Sequence, residues 1–482
     1  MTQMTQMGGG KSGLGRWAEI IPIRGICVIC GRTLCGIPVH PVAKRRVADG
    51  FSSLPTMTPS LHPTRRTFLQ TSAAAALATS LPPLRAASIE SDKLKLGLIG
   101  CGGRGSGAAS QALLADSNVE LWAMGDVFRD ALDKSHGVLS AQFKDKPGMM
   151  SVAEERKFIG LDAYQKVLGS GIDLVMIATP GGFRPIHLRA AVDAGKHIFC
   201  EKPMAVDPTG VRSVMESVKL AKEKKLALRA GFNMRFEPSY QEAMERIHRG
   251  DIGDVVAIYS TRLGNRLSRF SGERLPGQTD LEWQLRNWHH FLWLSGDLIM
   301  EISVHSVDKI MWAMKDEPPV KCVASGARQQ QKIGDIWDQH DVTYTWANGT
   351  IAVLKSRYQD GCYNEQKDLI IGTKGRCEFS GYAAQILGAN PWKYAGPKPA
   401  SHQIEHNELF ADLRAKRIPN DGDRMAQSTL AGIMGRMSAY TGKEVTWEMA
   451  LQSKLDTMPK DLRWEMALPV PPPAVAGQTP FV

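Results

Sequence analysis

The chain has 482 residues, 43% hydrophobic and 22% charged, with a formal net charge of +10. That length and composition suit a globular protein with room for two cores. Ten lysines and arginines but only two acids, Glu19 and Asp49, fall within residues 1–87, so this leader carries +8 and the remainder +2. The body is nearly neutral, and a nucleic-acid partner is not expected.

Residues 1–56 are rich in Gly, Arg and Pro without helical or strand periodicity, and they read as an extension upstream of the true start at Met57. Cys27, Cys30, Cys35 and His40 have short, ligand-like spacings, but no hydrophobic unit surrounds them, and no metal is expected. In residues 57–87, Arg65-Arg66 precede Phe68-Leu69 and an alanine-rich apolar run at 73–81, ending at Pro82-Pro83. This is the layout of a twin-arginine export signal, with the translocation machinery as partner and the periplasm or another exported location as destination. The run is too short to span a bilayer, so the mature form has no membrane span. Cleavage near Ala87 leaves Ser88 at the mature end. The cysteines beyond it, Cys101, Cys200, Cys322, Cys362 and Cys377, are odd in number and scattered, which is no disulfide framework.

A fold begins at Lys93. "KLKLGLIG" reads as a strand and "AASQALLADS" as a helix, placing Gly100, Gly102 and Gly105 in a G-x-G-x-x-G turn between them. The first glycine permits the tight turn, the second lets a pyrophosphate approach the backbone, and the third lets helix pack on strand. Gly103 and Arg104 lie within the same turn. The next strand, "NVELWAMGD", ends at Asp126, 21 residues after Gly105, where a carboxylate accepts hydrogen bonds from the adenosine ribose. That favours NAD as cofactor, while Arg104 and Arg129 keep NADP open. "IDLVMIATP", "KHIFCEKP" and "LALRAGFN" continue the strands, with a helix "RPIHLRAAVDAG" between the first two. Residues 93–233 therefore read as a doubly wound parallel sheet of Rossmann type. Thr179, Pro180, Glu201 and Lys202 lie where the chain leaves the carboxyl ends of these strands, where such sheets bind ligands.

Residues 234–460 read as an α+β domain with an open, mainly antiparallel sheet. "DVVAIYSTRLG" is a strand, "DVTYTWANGTIAVLKSRY" a hairpin turned at Asn348-Gly349, and "KDLIIGTKGRCEF" a further strand pair. "HNELFADLRAKR" and "DRMAQSTLAGIMGRMSAYTG" are closing helices, and residues 461–482 a C-terminal tail. In "EISVHSVD" and the four residues after it, Glu301, His305, Asp308 and Trp312 stand at helical spacing on one face. Oxidation of a secondary alcohol needs a base for the hydroxyl proton and a positive group beside the developing alkoxide, roles that His305 and Lys202 can fill. Upstream, Trp288 and His289 lie in an aromatic stretch whose faces suit a sugar ring as well as they suit core packing.

The Gly turn, "GKHIFCEKPM", "GFNMRF" at 231–236 and "EISVHSVD" together resemble the Gfo/Idh/MocA oxidoreductases, over residues 94–450. The resemblance implies that Lys202, followed by Pro203, lies beside the nicotinamide and substrate, and that His187, in the helix after Thr179-Pro180, is a further cofactor contact. It also implies that Glu301 and His305 form the second catalytic element, with Glu where many members have Asp. Arg235, Trp288, His289 and Asp308 are the candidate substrate contacts. The implied activity is an NAD(P)-dependent oxidation at a CH–OH group of a sugar, cyclitol or related polyol, by a homo-oligomer, dimer or tetramer, that holds its cofactor tightly. Exported relatives that cleave glycosides without net redox change, by oxidation, elimination and reduction, are a second implication. A non-catalytic dinucleotide-binding protein is a third, against which Lys202 and His305 argue.

Overall fold

The computed structural model describes residues 93–267 and 272–482, so the leader, the twin-arginine segment and the cysteine–histidine cluster lie outside the described residues. Six parallel strands open the fold: β1 (Leu94–Ile99), β2 (Val119–Asp126), β3 (Lys157–Ile159), β4 (Leu174–Ile177), β5 (His197–Cys200) and β6 (Leu228–Ala230). Their spatial order is β3-β2-β1-β4-β5-β6. The strands are apolar on both faces because helices cover both. Leu96 and Leu98 pack toward Leu113 of α1 (Gly103–Ala115), while Val175 and Ile177 share a second core with Leu188 and Val192. Between β1 and β4 the order reverses, and the carboxyl ends part to leave a crevice.

The second sheet has nine strands, with the long β7 (Val255–Gly264) near its middle. It is mainly antiparallel, as expected, but β7 pairs in parallel with β10 (Ile351–Tyr358). The reason lies in the connection: after β7 the chain leaves the sheet for a helical excursion and returns through β8 (Lys321–Ala327) and β9 (Gln339–Thr345) before pairing. The β9–β10 hairpin forms in the expected place. Its turn differs from a two-residue Asn-Gly turn, which needs both residues left-handed: only Gly349, at φ +86°, is so, and Trp346 pairs with Thr350 across a three-residue loop.

The excursion carries α7 (Asp280–Arg286), α8 (Leu292–Ser295) and a π-helical turn, Ile299–Ser303, that runs into α9 (Val304–Ala313). (Helices α2 to α6 are Arg129–Gln142, Ala163–Gly169, Arg184–Asp193, Pro208–Glu223 and Pro238–Arg249.) Helix α11 (Gly422–Thr441) is buried along almost its whole length. Helix α10 (Ser401–Arg414), expected to close the second domain, instead crosses back to the first. Its Leu409, Phe410 and Leu413 join the core of Leu96 and Leu113, and Arg414 pairs with Asp116 at 2.6 Å. An amphipathic pattern shows that a helix buries a face but not which sheet receives it.

Candidate functional site

A cavity of about 820 Å³ runs along the carboxyl ends of the parallel strands and continues between the two sheets' helices. At one end lies the glycine turn. Gly100 has φ +92°, which suits glycine. A Cβ on Gly105 would lie 1.9 Å from the Gly100 carbonyl oxygen, so only glycine lets α1 start so close to β1. Gly102 and Gly103 line the cavity, and a Cβ on either would meet nothing within 4 Å. Space is thus reserved in front of the backbone at the start of α1, and the residues present fit a dinucleotide pyrophosphate there. Gly105 itself packs beneath the turn rather than lining the cavity.

Asp126 closes β2 in the same wall. Its carboxylate accepts from Cys101 N at 2.6 Å and Phe128 N at 2.9 Å, bracing the glycine turn, and burial raises its pKa. Arg104 turns toward Glu201, with Nε 3.0 Å from Oε1. Arg129 lies outside the cavity, paired with Glu154 at 3.1 Å. Thr179 and Pro180 follow β4 into the lining. Thr179 Oγ1 lies 3.0 Å from His187 Nδ1, and the His187 ring is held between Tyr164 and Phe183. Burial, then the Arg184 charge, pushes the His187 pKa down to about 3, so this side chain is a neutral wall.

The other end of the cavity holds Lys202, Glu301 and His305, the groups expected to be catalytic. Lys202 and Glu201 follow β5, and Lys202–Pro203 is a cis peptide whose Pro203 carbonyl accepts from Arg184 Nη1 at 2.7 Å. Lys202 Nζ donates to the Glu301 main-chain carbonyl at 2.5 Å and lies 3.8 Å from Glu301 Oε1. His305 follows one turn later, its ring edge-on to Phe232 at 5.9 Å. Its Nδ1 is buried without a hydrogen-bond partner among the described residues. Burial and, next, the positive charge of Lys202 hold the His305 pKa well below its usual value, so the imidazole is neutral and able to accept a proton.

Three of the expected substrate contacts lie elsewhere. Arg235 and Asp308 are both buried outside the cavity, bonded to each other at 2.8–3.0 Å, and Arg235 also pairs with Asp316. The stripe that begins at Glu301 and His305 runs on along α9, past the cavity, to Asp308 and Trp312. His289 is buried beside a smaller, separate cavity of about 270 Å³, while its neighbour Trp288 lines the large one. The two rings lie against each other, centroids 3.7 Å apart, yet border different cavities, which the aromatic pattern could not show. Of the nearby tryptophans, Trp293 is core: its indole donates to Gln284 at 2.7 Å.

Residues 94–232 match the profile described as "Oxidoreductase family, NAD-binding Rossmann fold", and residues 240–378 match the "GFO/IDH/MocA C-terminal domain". Together these cover more than half of the chain. The chain belongs to the Gfo/Idh/MocA oxidoreductase family. It is an NAD(P)-dependent oxidoreductase with an NAD-binding Rossmann domain. Among curated members of the family, the inositol 2-dehydrogenase of Rhizobium meliloti is 24% identical over 284 residues, 58% of this chain and 74% of that protein. The myo-inositol 2-dehydrogenase of Thermotoga maritima is 23% identical over 287 residues, 59% of this chain and 74% of that one. Among solved structures, the WlbA dehydrogenase of Bordetella pertussis, in complex with NADH and UDP-GlcNAcA, superposes with a TM-score of 0.58 at 22% identity. That match covers 74% of this chain and 98% of the other, and it establishes a shared fold.

Several lining residues carried no motif. His402, at the start of α10, reaches the cavity near Lys202, and Phe128, Leu285 and Arg286 form its wall beyond Asp126. The one available signal for His402 was the polar cluster "SHQIEH" inside a helix that otherwise buries apolar residues.

Proposed function

We propose that this chain oxidises a secondary alcohol of a sugar, cyclitol or related polyol, with His305 as base and Lys202 as the positive group beside the oxygen. The observation that carries this reading is the meeting of Lys202, Glu301 and His305 at one end of a cavity whose other end is the glycine turn. When bound, the nicotinamide supplies the hydride acceptor. A neutral His305 takes the hydroxyl proton. Lys202, held by the Glu301 carbonyl, stabilises the oxygen as negative charge develops on it. Trp288 gives the cavity an aromatic surface for the C–H face of a ring.

NAD is the cofactor we infer over NADP: Asp126 stands at the ribose position, and Arg104 and Arg129 are each committed to a carboxylate. The names of the curated relatives support cyclitols as the first substrates to try. The decisive assay is NADH formation with a panel of inositols, aldoses and their glycosides. Turnover on a cyclitol or sugar that is lost in Lys202→Ala supports the proposal. Release of free sugar from a glycoside with no net NADH would replace it with the redox-neutral reaction.

Export through Arg65-Arg66, with the dinucleotide loaded before transport and then retained, is part of the same proposal. Outside the cytoplasm no NAD pool is maintained, so the hydride must be passed on with the cofactor in place. Protein purified without added nucleotide is expected to release close to one NAD(H) per chain on denaturation. A stable, empty protein would defeat retention. We further infer a homo-oligomer formed through the open face of the nine-stranded sheet, where Tyr259, Val353, Thr343 and Val323 stand in one row and Tyr259 and Val323 are exposed.

A further inference from the structure

We infer that the C-terminal segment 457–470 is a strap that holds the dinucleotide cavity closed at its adenosine end, an inference that rests on the cofactor reading above. Asp126, at the end of β2, marks that end. Beyond it the wall is built from two sides. Phe128 comes from the first domain and Arg286 from α7 in the helical excursion of the second. The Arg286 guanidinium lies 3.9 Å over the Phe128 ring, and its Nη1 is 3.2 Å from Asp130 Oδ2. These contacts join the domains directly across the cavity.

The strap braces this clasp from behind. Residues 461–470 alternate exposed and half-buried, as an extended chain laid over a surface does, and Leu462, Trp464, Leu468 and Val470 pack inward. The Trp464 ring centre is 6.1 Å from that of Phe128. Leu468 N donates to Asp280 Oδ2 at 2.9 Å, and its carbonyl accepts from Gln284 Nε2 at 2.7 Å, so the strap holds α7 at its first residue and again one turn further on. On the other side, Thr457 donates from N and Oγ1 to Asp207 Oδ2 at 2.8 and 2.7 Å. Asp207 is the buried cap of α5 in the first domain. The segment is therefore tied to both domains, with Trp464 seated on the cavity wall between the ties.

An exposed ion pair or a single ring contact holds little by itself. Here they act together, because Phe128 is in contact with both Arg286 and Trp464, and moving it aside breaks both contacts. The expected consequence is slow release of the dinucleotide.

The test is the rate of NADH release from the loaded full-length chain, followed by the loss of energy transfer from tryptophan to NADH after addition of a large excess of NAD. Trp464→Ala, Arg286→Ala and a chain ending at Lys460 should each release NADH at least about tenfold faster, and Trp464→Phe should restore slow release. A thermal melt of each variant confirms folding. If the shortened chain does not fold, the point variants decide. Variants that fold, bind NADH and release it within about twofold of wild type overturn the strap and leave the cofactor reading intact. A wild-type chain that binds no NADH overturns both.

Discussion

Lys202 Nζ is held by the main-chain carbonyl of Glu301 at 2.5 Å, closer than by that residue's own carboxylate at 3.8 Å. The carbonyl belongs to the π-helical turn, a distortion that recurs at functional sites. The lysine's position thus depends on backbone shape more than on the Glu301 side chain. Lys202→Ala is expected to lower kcat by at least about a hundredfold, the usual worth of a positioned acid–base group, with NAD binding retained. Glu301→Gln should cost about tenfold or less, because the carbonyl remains. Equal losses in the two variants would instead make the carboxylate a direct participant.

The pH profile should carry the mark of His305. As a base it must be unprotonated, and burial beside Lys202 keeps its pKa well below the usual value. Lowering the pH from 7.5 to 6 should leave kcat/KM unchanged, where a solvent-exposed histidine base would lose most of its activity. An acid limb near 6.5 that disappears in another histidine variant would move the base assignment to that residue.

Much of this was legible in the chain, for physical reasons. Gly100 to Gly105, Asp126 and Lys202 belong to short segments whose backbone shape is local, so spacing placed the glycines and Asp126, and the resemblance of the E-K-P motif placed Lys202. Glu301 and His305 stood one helical turn apart, and the structure puts both in the cavity. The stripe failed further on because periodicity gives a face but not where the cavity ends. Asp308 is claimed by Arg235, 73 residues away, a pairing no spacing encodes. His402 arrives on a helix that crosses back between domains. The strap was readable in part: "LRWEMALPV" places large apolar residues at every second position, a surface-lying pattern hidden inside what looked like a tail.

The glycine turn separates binding from folding. Gly102→Val should abolish NAD binding while leaving the melting temperature near wild type, since its side chain enters open space where the pyrophosphate fits. Gly105→Ala should fail differently, lowering stability as well as binding, because its Cβ collides with the Gly100 carbonyl. Calorimetric titration with NAD beside a thermal melt distinguishes the two. A Gly102→Val protein that binds NAD normally would mean the cavity receives its ligand elsewhere.

The corrected residues make a prediction of their own. Arg235 and Asp308 are both buried, with side chains 4% and 1% exposed, so Arg235→Ala leaves an uncompensated carboxylate. A loss of about 3–5 kcal/mol in unfolding free energy is expected. Substrate KM in the folded fraction should not change, since neither residue lines the cavity. A raised KM with unaltered stability would return Arg235 to the substrate site.

His187 and His406 give the fold a pH dependence whose sign can be worked out. Each has its pKa pushed down by burial to about 3, against an ordinary 6.5 in the unfolded chain. Below pH 6.5 the unfolded state therefore binds more protons, and stability falls as pH drops toward 3. Between pH 7.5 and pH 5 each histidine should cost about 2 kcal/mol. Asp335, raised by burial to about 6, works in the opposite direction over the same range, so the comparison must isolate one group. Replacing His187 by Gln removes its proton uptake while leaving His406 and Asp335 in place. Urea unfolding at pH 7.5 and pH 5 should then show a drop smaller by about 2 kcal/mol in His187→Gln than in wild type. Equal drops in the two proteins would mean that His187 can take up its proton without unfolding, which its place between Tyr164 and Phe183 argues against.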